Sequence, residues 1–524
     1  MKKIIILFFA VVAGMSISSC KKYLDINTNP NVATQGTAQL VLPQSIVAVA
    51  GQTWAYSFYG GQVAGYFANG GGVSGWGAIV SYDYTTTDQQ GLWNNSFDIA
   101  TDIQYVIDNT EGKADQVQAN AAAKVMKAYL FQRLVDQYGD LPYSDALKGA
   151  ASVTPKYDKA TDIYKSLADL CDAAIVAFKA NPSATASFKA SDVIFNASSA
   201  TVEITKWIKF ANTIKLRLIV RAGDKVAFSN KTFDAAGFLD DDVMVNPVYA
   251  KISGKQNPTW NSFAYSFANA AVGAGAQYAP TPFTMGFYNG AKLTDAARAN
   301  VTFKTGTAQA TNQLGNQLAT AGRGGTPNSW FIGTNATTYS SIGIFKGPDA
   351  GNPLFLLADS YFLQAEAQLS GLIAGTAATS FNLGIQSSFR YLYKTSTGAV
   401  TAGKDPVADA TAYQAANATN RLANFALNTS FAQQQEAIIT QKYIALNMIH
   451  GDEAWNEYRR TGFPVSSSSN AALPVNTIVS ITSASTAADK LPARLLYPAT
   501  EFTYNSANVP KDVNKYTSKL FYAK

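Results

Sequence analysis

The sequence predicts a mainly α-helical protein: one large helical body carrying long irregular loop insertions. Three observations predict it. Apolar residues recur at helical spacing in four separate segments. Between them lie long irregular stretches rich in Gly, Asn, Ser, Thr and aromatics. Only two cysteines occur in 524 residues, so no disulfide framework replaces a core, and a chain this long buries a large core without one.

The helical segments follow in order. Ala122, Val125, Met126, Tyr129, Leu130 and Leu134 form one apolar face, stopped by Gly139-Asp140-Leu141-Pro142. Trp207, Ala211, Ile214 and Leu218 form a second, interleaved with Lys206, Lys209, Lys215 and Arg217. A third runs through Leu354, Ala358, Tyr361, Phe362, Ala365 and Leu369 and ends near Gly371. Ile439, Tyr443, Leu446 and Ile449 form the fourth, stopped by Gly451. Such stripes are buried by helix pairing. Cys171 falls on a further stripe (Ile163, Leu167, Leu170, Ala174, Phe178) and reads as a small core hydrophobe. The longest irregular stretches are 51–97 and 245–345, and stretches of this length inside a compact protein are commonly functional. Residues 393–428 and 465–490 are also irregular and rich in Ser, Thr, Ala and Asn.

The N-terminus has the form of a secretory leader. Met1, Lys2 and Lys3 precede an apolar run over residues 4–13, and Ile17-Ser18-Ser19 leads into Cys20. Small residues before a cysteine resemble a bacterial lipobox. That makes residues 1–19 a signal peptide and Cys20 the lipidated first residue of the mature chain. The apolar run is too short to span a hydrocarbon core, which needs about 20 residues. Residues 20–36, Asn-rich and broken by Pro30, read as a tether. Asp25, Asn27, Asn29 and Asn31 alternate like the start of a calcium loop. The loop's sixth position holds Pro30 instead of Gly and its twelfth holds Gly36 instead of Glu, so no metal site is expected.

Composition narrows the chemistry. The formal net charge is +6, two units of it from Lys2 and Lys3, and charged residues are 15% of the chain, against about 25% in average soluble domains. No basic stripe suggests a nucleic-acid partner. Aromatics reach 12%, which suits a surface that recognises ligands by stacking and neutral hydrogen bonds. There is no Gly-x-Ser-x-Gly, no Cys–His pairing and no phosphate loop, so neither catalysis nor a cofactor is expected. His450, the sole histidine, excludes a multi-histidine metal site and reads as a helix-end residue facing the carbonyl dipole. Glu453, Glu457, Arg459 and Arg460 read as a charge network holding helices together rather than as an acid–base pair.

Four groups of segments, taken in order, resemble the SusD/RagB family of outer-membrane nutrient-binding lipoproteins. They are CKKYLD at 20–25; AKVMKAY at 123–129 running into YGDLPY at 138–143; WIKFAN at 207–212 and KLRL at 215–218, then DSYFLQAEA at 359–367; and QKY at 441–443, EAWNEYRRTGFP at 453–464 and PARLLYP at 492–498. Together they cover nearly the whole mature chain. One departure stands at 293–298, where LTDAAR replaces a frequent Asp-Pro-Arg.

The resemblance implies tetratricopeptide-like helix pairs as a scaffold, with loops of one side forming the ligand surface. It implies a lipid-anchored protein on the cell surface. Such a protein acts as the lid of a TonB-dependent barrel transporter, captures an oligosaccharide and hands it over without catalysis. A peptide is the alternative cargo. A glycoside hydrolase would need two carboxyls about 5–10 Å apart, and Asp83 and Asp88 are the only acids in the 51–97 stretch. Sugar faces are bound by exposed aromatic plates flanked by polar groups. Loop residues Asn69, Trp76, Tyr82, Asp83, Tyr84, Trp260 and Trp330 are therefore the expected ligand-binding set. Trp54, Trp93, Trp207 and Trp455, at helical positions, are expected to be structural.

Overall fold

The computed structural model describes residues 36–71, 75–318, 329–333, 342–469 and 471–524. The leader, Cys20 and all of the tether except Gly36 lie outside the described residues. Ten helices carry the fold: α1 (Ala38–Val63), α2 (Gln90–Thr110), α3 (Val117–Tyr138), α4 (Ala160–Ala180), α5 (Ala200–Ala222), α6 (Leu357–Leu369), α7 (Ala377–Tyr393), α8 (Pro406–Ala416), α9 (Phe431–Leu446) and α10 (Gly451–Thr461). Most consecutive members pack on each other, from α1 through α5 and from α6 through α8. Helix α6 also touches α5 and α9, and α10 closes back onto α1. No helix among the described residues is long and apolar enough to cross a membrane.

The packing follows from the side chains. On α2 one face is buried, through Leu92, Trp93, Ile99, Ile103 and Val106. Helix α3 is buried almost all round, with Ala121, Ala122 and Ala123 fully enclosed, as expected of a helix at the centre of a core. Capping side chains open several helices. Ser199 accepts a hydrogen bond from Val202 N at 3.2 Å, Ser430 from Gln433 N at 3.3 Å, and Asp405 from Val407 N and Ala408 N at 3.0 Å. In the variant 293–298 segment, Asp295 accepts from Arg298 N at 3.1 Å and pairs with the Arg298 side chain, so the departure from Asp-Pro-Arg still makes a capped helix start. Cys171 is buried, and burial pushes its thiol up.

Helices α1 and α10 cross on glycines. A Cβ on Gly60 would lie 2.3 Å from the Asp452 Cα, and one on Gly451 would lie 2.3 Å from the Ser57 carbonyl oxygen. No larger residue fits there without moving backbone.

The interior where α5, α6, α9 and α10 meet is ionic. Lys442 pairs with Asp359 at 2.8 Å, Glu457 at 2.9 Å and Glu453 at 3.1 Å. Arg221 pairs with Glu457 at 3.1 Å and with Asp136 and Glu453. Arg460 clamps Glu366 through two bonds of 2.7 Å and reaches Glu457 as well. Burial alone would raise the Glu457 carboxyl. Arg460, Lys442 and Arg221 outweigh it and hold it down at about 2. The expected charge network is present for Glu453, Glu457 and Arg460, and it ties together more helices than the local spacing of α10 reveals; Arg459 stands outside it, bonded to backbone carbonyls and the Asn456 side chain.

His450 departs from its expected setting. It sits at the N-terminal end of α10, and its Nε2 lies 3.2 Å from the Pro353 carbonyl oxygen. Burial lowers its pKa to about 4, so the ring is neutral near pH 7 and carries no charge to a helix dipole.

Among the described residues, three short antiparallel ladders complete the fold. They are β1 (Phe67–Asn69) with β5 (Tyr278–Pro280), β2 (Leu141–Pro142) with β3 (Tyr157–Asp158), and β4 (Val243–Val245) with β6 (Asn352–Phe355). The first irregular stretch is shorter than its composition suggests, since α1 runs to Val63 and α2 begins at Gln90. Helix α1 is rich in Gly and aromatics, which hides its period.

Candidate functional site

The β1–β5 ladder brings the two loop regions together. Asn69 stands opposite Tyr278, Ala68 opposite Ala279 and Phe67 opposite Pro280. Around the end of this ladder residues 67–71 and 75–84, 277–318 and 478–484 interlock through neutral polar groups. Asn69 Nδ2 donates to the Asn316 carbonyl at 3.1 Å, and its Oδ1 accepts from Gly315 N at 2.9 Å. Asn312 Nδ2 donates to the carbonyls of Asn69 at 2.6 Å and Asn316 at 2.8 Å. Gln313 Nε2 donates to the Val479 carbonyl at 3.1 Å. The Ser480 hydroxyl lies within hydrogen-bond reach of the carbonyls of both Val80 and Leu314. Gly315, at φ +85°, lets the turn lie against that serine, because a Cβ there would be 2.6 Å from Ser480 Oγ.

Beneath the junction lies an aromatic floor. Phe58, Phe67, Phe263, Tyr278 and Trp330 meet at centroid distances from 4.9 to 6.5 Å. Trp76 lies at its outer edge, half-buried, with its ring 5.3 Å from Tyr278 in an edge-on contact. Its flanking Gly75 and Gly77 are exposed, as are Gln277 and Leu318. Burial raises the Tyr278 hydroxyl to about 12, so it stays neutral. Asn69, Asn312 and Ser480 are buried beneath the rim, which is the aromatic edge with the exposed Gln277 and Thr482 and the half-buried Gln313 and Asn316, and carries little charge.

Five of the seven expected ligand residues are not exposed plates. Trp260 and Trp330 are 2% and 1% exposed. Trp330 belongs to the floor. Trp260 lies in the first turn of a short helix (Pro258–Phe263) capped by Asn257, which accepts from Trp260 N at 2.9 Å. Tyr82 and Tyr84 are buried and point inward. The Tyr82 hydroxyl accepts from Ser480 N at 3.3 Å, and the Tyr84 hydroxyl donates to the Arg494 carbonyl. Asn69 is consumed by the turn it holds. The reason is common to all five: a long loop keeps one shape only if its large side chains are anchored. Trp76 and Asp83 remain accessible. Asp83 pairs with Lys515 at 2.8 Å. Sequence reasoning passed over Tyr278, Asn312, Gln313 and Ser480, for which the irregularity of 245–345 (the first three) and of the Ser/Thr-rich 465–490 (Ser480) was the available signal. Trp93, Trp207 and Trp455 are buried as expected, and Trp54 packs on Phe58 and Phe263.

A family model of the SusD-like group, described as starch-binding and associating with the outer membrane, matches residues 30–498. The chain belongs to the SusD-like family. Solved structures share its fold at low identity. A chitin-binding protein superposes with a TM-score of 0.64 at 23% identity, covering 93% of this chain and 99% of its own. A chitin-binding SusD homolog from Flavobacterium johnsoniae gives 0.64 at 18%, with 92% and 98% covered. A SusD-like protein from Bacteroides thetaiotaomicron gives 0.66 at 18%, with 93% and 99% covered. None of the curated proteins matches the chain at a significant level. The resemblance drawn from the four sequence segments and the mainly helical expectation both hold. The 293–298 departure does not disturb the family assignment.

Proposed function

We propose that this SusD-like protein is a non-catalytic nutrient-binding lipoprotein of the outer membrane. It is anchored at the cell surface through Cys20, captures an oligosaccharide and delivers it to a TonB-dependent barrel transporter, for which it serves as lid. The observation that carries the reading is the β1–β5 junction, where three loops present the edge of Trp76 within a neutral rim of amides and hydroxyls. Glycans offer apolar C–H faces and rings of hydroxyls, and that rim matches both. The family description and the chitin-binding relatives support a carbohydrate ligand. Binding without hydrolysis is supported by the two loop acids. Asp83 is committed to Lys515, and Asp88 accepts from Thr85 N at 2.7 Å within its own turn. Of the residues expected from sequence, Trp76 is placed at the centre of the site, with Asp83 at its margin. Asn69, Tyr82, Tyr84, Trp260 and Trp330 are assigned to holding the face in shape.

Calorimetry against plant, microbial and host oligosaccharides and peptide digests tests this. Saturable glycan binding with no sugar released is expected, weakened by about tenfold or more in Trp76→Ala, a loss of about 1.4 kcal/mol. Binding of peptides alone would replace the cargo and keep the lid reading. Released sugar would overturn the non-catalytic reading.

A further inference from the structure

A separate cavity of about 440 Å3 opens where the end of α10 meets residues 486–493 and 516–524. That volume lies in the range of small-molecule sites, about 300–1,000 Å3. Its wall is apolar along Leu491, Pro492 and Ala493, with Tyr458 and Tyr516 beside them. Its polar groups are unbalanced. Arg459, only 8% exposed, donates to the backbone carbonyls of Ala493 at 3.0 Å and Asp136 at 2.7 Å, and to the Asn456 side chain. Its guanidinium lies 3.6 Å from the centre of the Trp455 ring. No carboxylate pairs with it among the described residues, and its buried Nε has no partner. Lys519 is exposed at the cavity, and its ammonium makes neither hydrogen bond nor ion pair among the described residues. The Lys524 ammonium donates to the Thr461 carbonyl. Against these cations the lining holds one side-chain carboxylate, Asp489, which accepts from Leu491 N at 3.1 Å.

A buried guanidinium without a counter-ion favours an incoming anion, since charge-assisted bonds to carboxylates are the strong ones. The apolar wall and the Tyr458 ring favour a ligand with a body rather than a bare ion. We infer that this cavity binds a small organic carboxylate of the size of one sugar ring, with its carboxylate toward Arg459 and Lys519 and its ring against Tyr458 and Pro492. This site is distinct from the Trp76 face and does not depend on what that face binds.

The test uses the purified full-length protein in detergent, titrated with galacturonate, glucuronate, neutral galactose and inorganic phosphate. Saturable binding of a uronate, with neither galactose nor phosphate matching it, is expected. Lys519→Glu should weaken that binding about tenfold or more. Ala488→Trp, at an exposed lining position, should block it while leaving the circular dichroism spectrum unchanged. Trp76→Ala should leave it intact. Equal binding of galactose, equal binding of phosphate, no saturable binding of either uronate, or loss in Trp76→Ala would each overturn the inference.

Discussion

Where α5, α6, α9 and α10 meet, helices are joined by buried ions: Lys442 holds carboxylates of α6 and α10 within 3.1 Å. Where β1 and β5 meet, loops are joined by neutral groups, with Asn69, Asn312 and Ser480 bridging segments far apart in sequence. Both junctions are dense in hydrogen bonds, but they respond differently to change. A buried ion that loses its partner retains the desolvation cost of a full charge, whereas a buried neutral amide or hydroxyl such as Asn69, Asn312 or Ser480 retains only that of a dipole. The ionic scaffold is therefore the less tolerant of single substitutions, and on the loop face it is the exposed polar residues such as Gln277, not the buried Asn69, Asn312 and Ser480, that can vary at small cost. A low charge content overall coexists with a strongly ionic interior.

The largest effect expected on this comparison comes from Glu453→Ala. It leaves Arg221 and Lys442 undercompensated and should cost about 3–5 kcal/mol in denaturant unfolding. Next is acid sensitivity through His450. Its folded pKa of about 4 lies below the ordinary value of 6.5, so the unfolded chain takes up a proton that the folded chain refuses. The resulting stability is complete above pH 6.5 and lost as pH falls to 4, by about 3 kcal/mol. Thermal melts across that window should show the decline, and His450→Gln should flatten it. Gly451→Ala should cost about 1–3 kcal/mol by forcing α1 and α10 apart, while the loop face of the surviving folded protein keeps its affinity. Smallest is Lys165→Ala, which removes an exposed pair with Asp169 at 3.0 Å and should shift stability by less than about 0.5 kcal/mol. A large loss there would contradict the contrast between exposed and buried ions.

The scaffold was largely legible. Val125, Met126, Leu130 and Leu134 repeat at helical spacing, and Gly139 and Gly462 end their helices at φ +76° and +79°. Helix α1 was obscured because glycines and polar residues on it, including Gly60, Gln52 and Thr53, are buried. The loop face was legible only as a region. Trp76 and Trp330 both sit in Gly- and Asn-rich loops, and their unlike exposure depends on a ladder between residues some 200 positions apart, roughly the reach that local periodicity never reports. Asn69 likewise looks like a surface amide in sequence, and only the turn at 312–316 shows what it holds.

The closure of α10 on α1 also bears on how the chain comes to be folded. Helix α1 packs early on α2, but the glycine face it turns to α10 is covered only once residues 451–461 are available, and the β1–β5 ladder also closes a long loop. Contacts of this separation form late, because loop-closure entropy opposes them until neighbouring elements are in place. Export of a chain beginning at its N-terminus would therefore deliver α1 early with its glycine seam uncovered. The ring of helices is sealed by one of the last segments to emerge, so a chain truncated before Gly451 lacks the element that closes it.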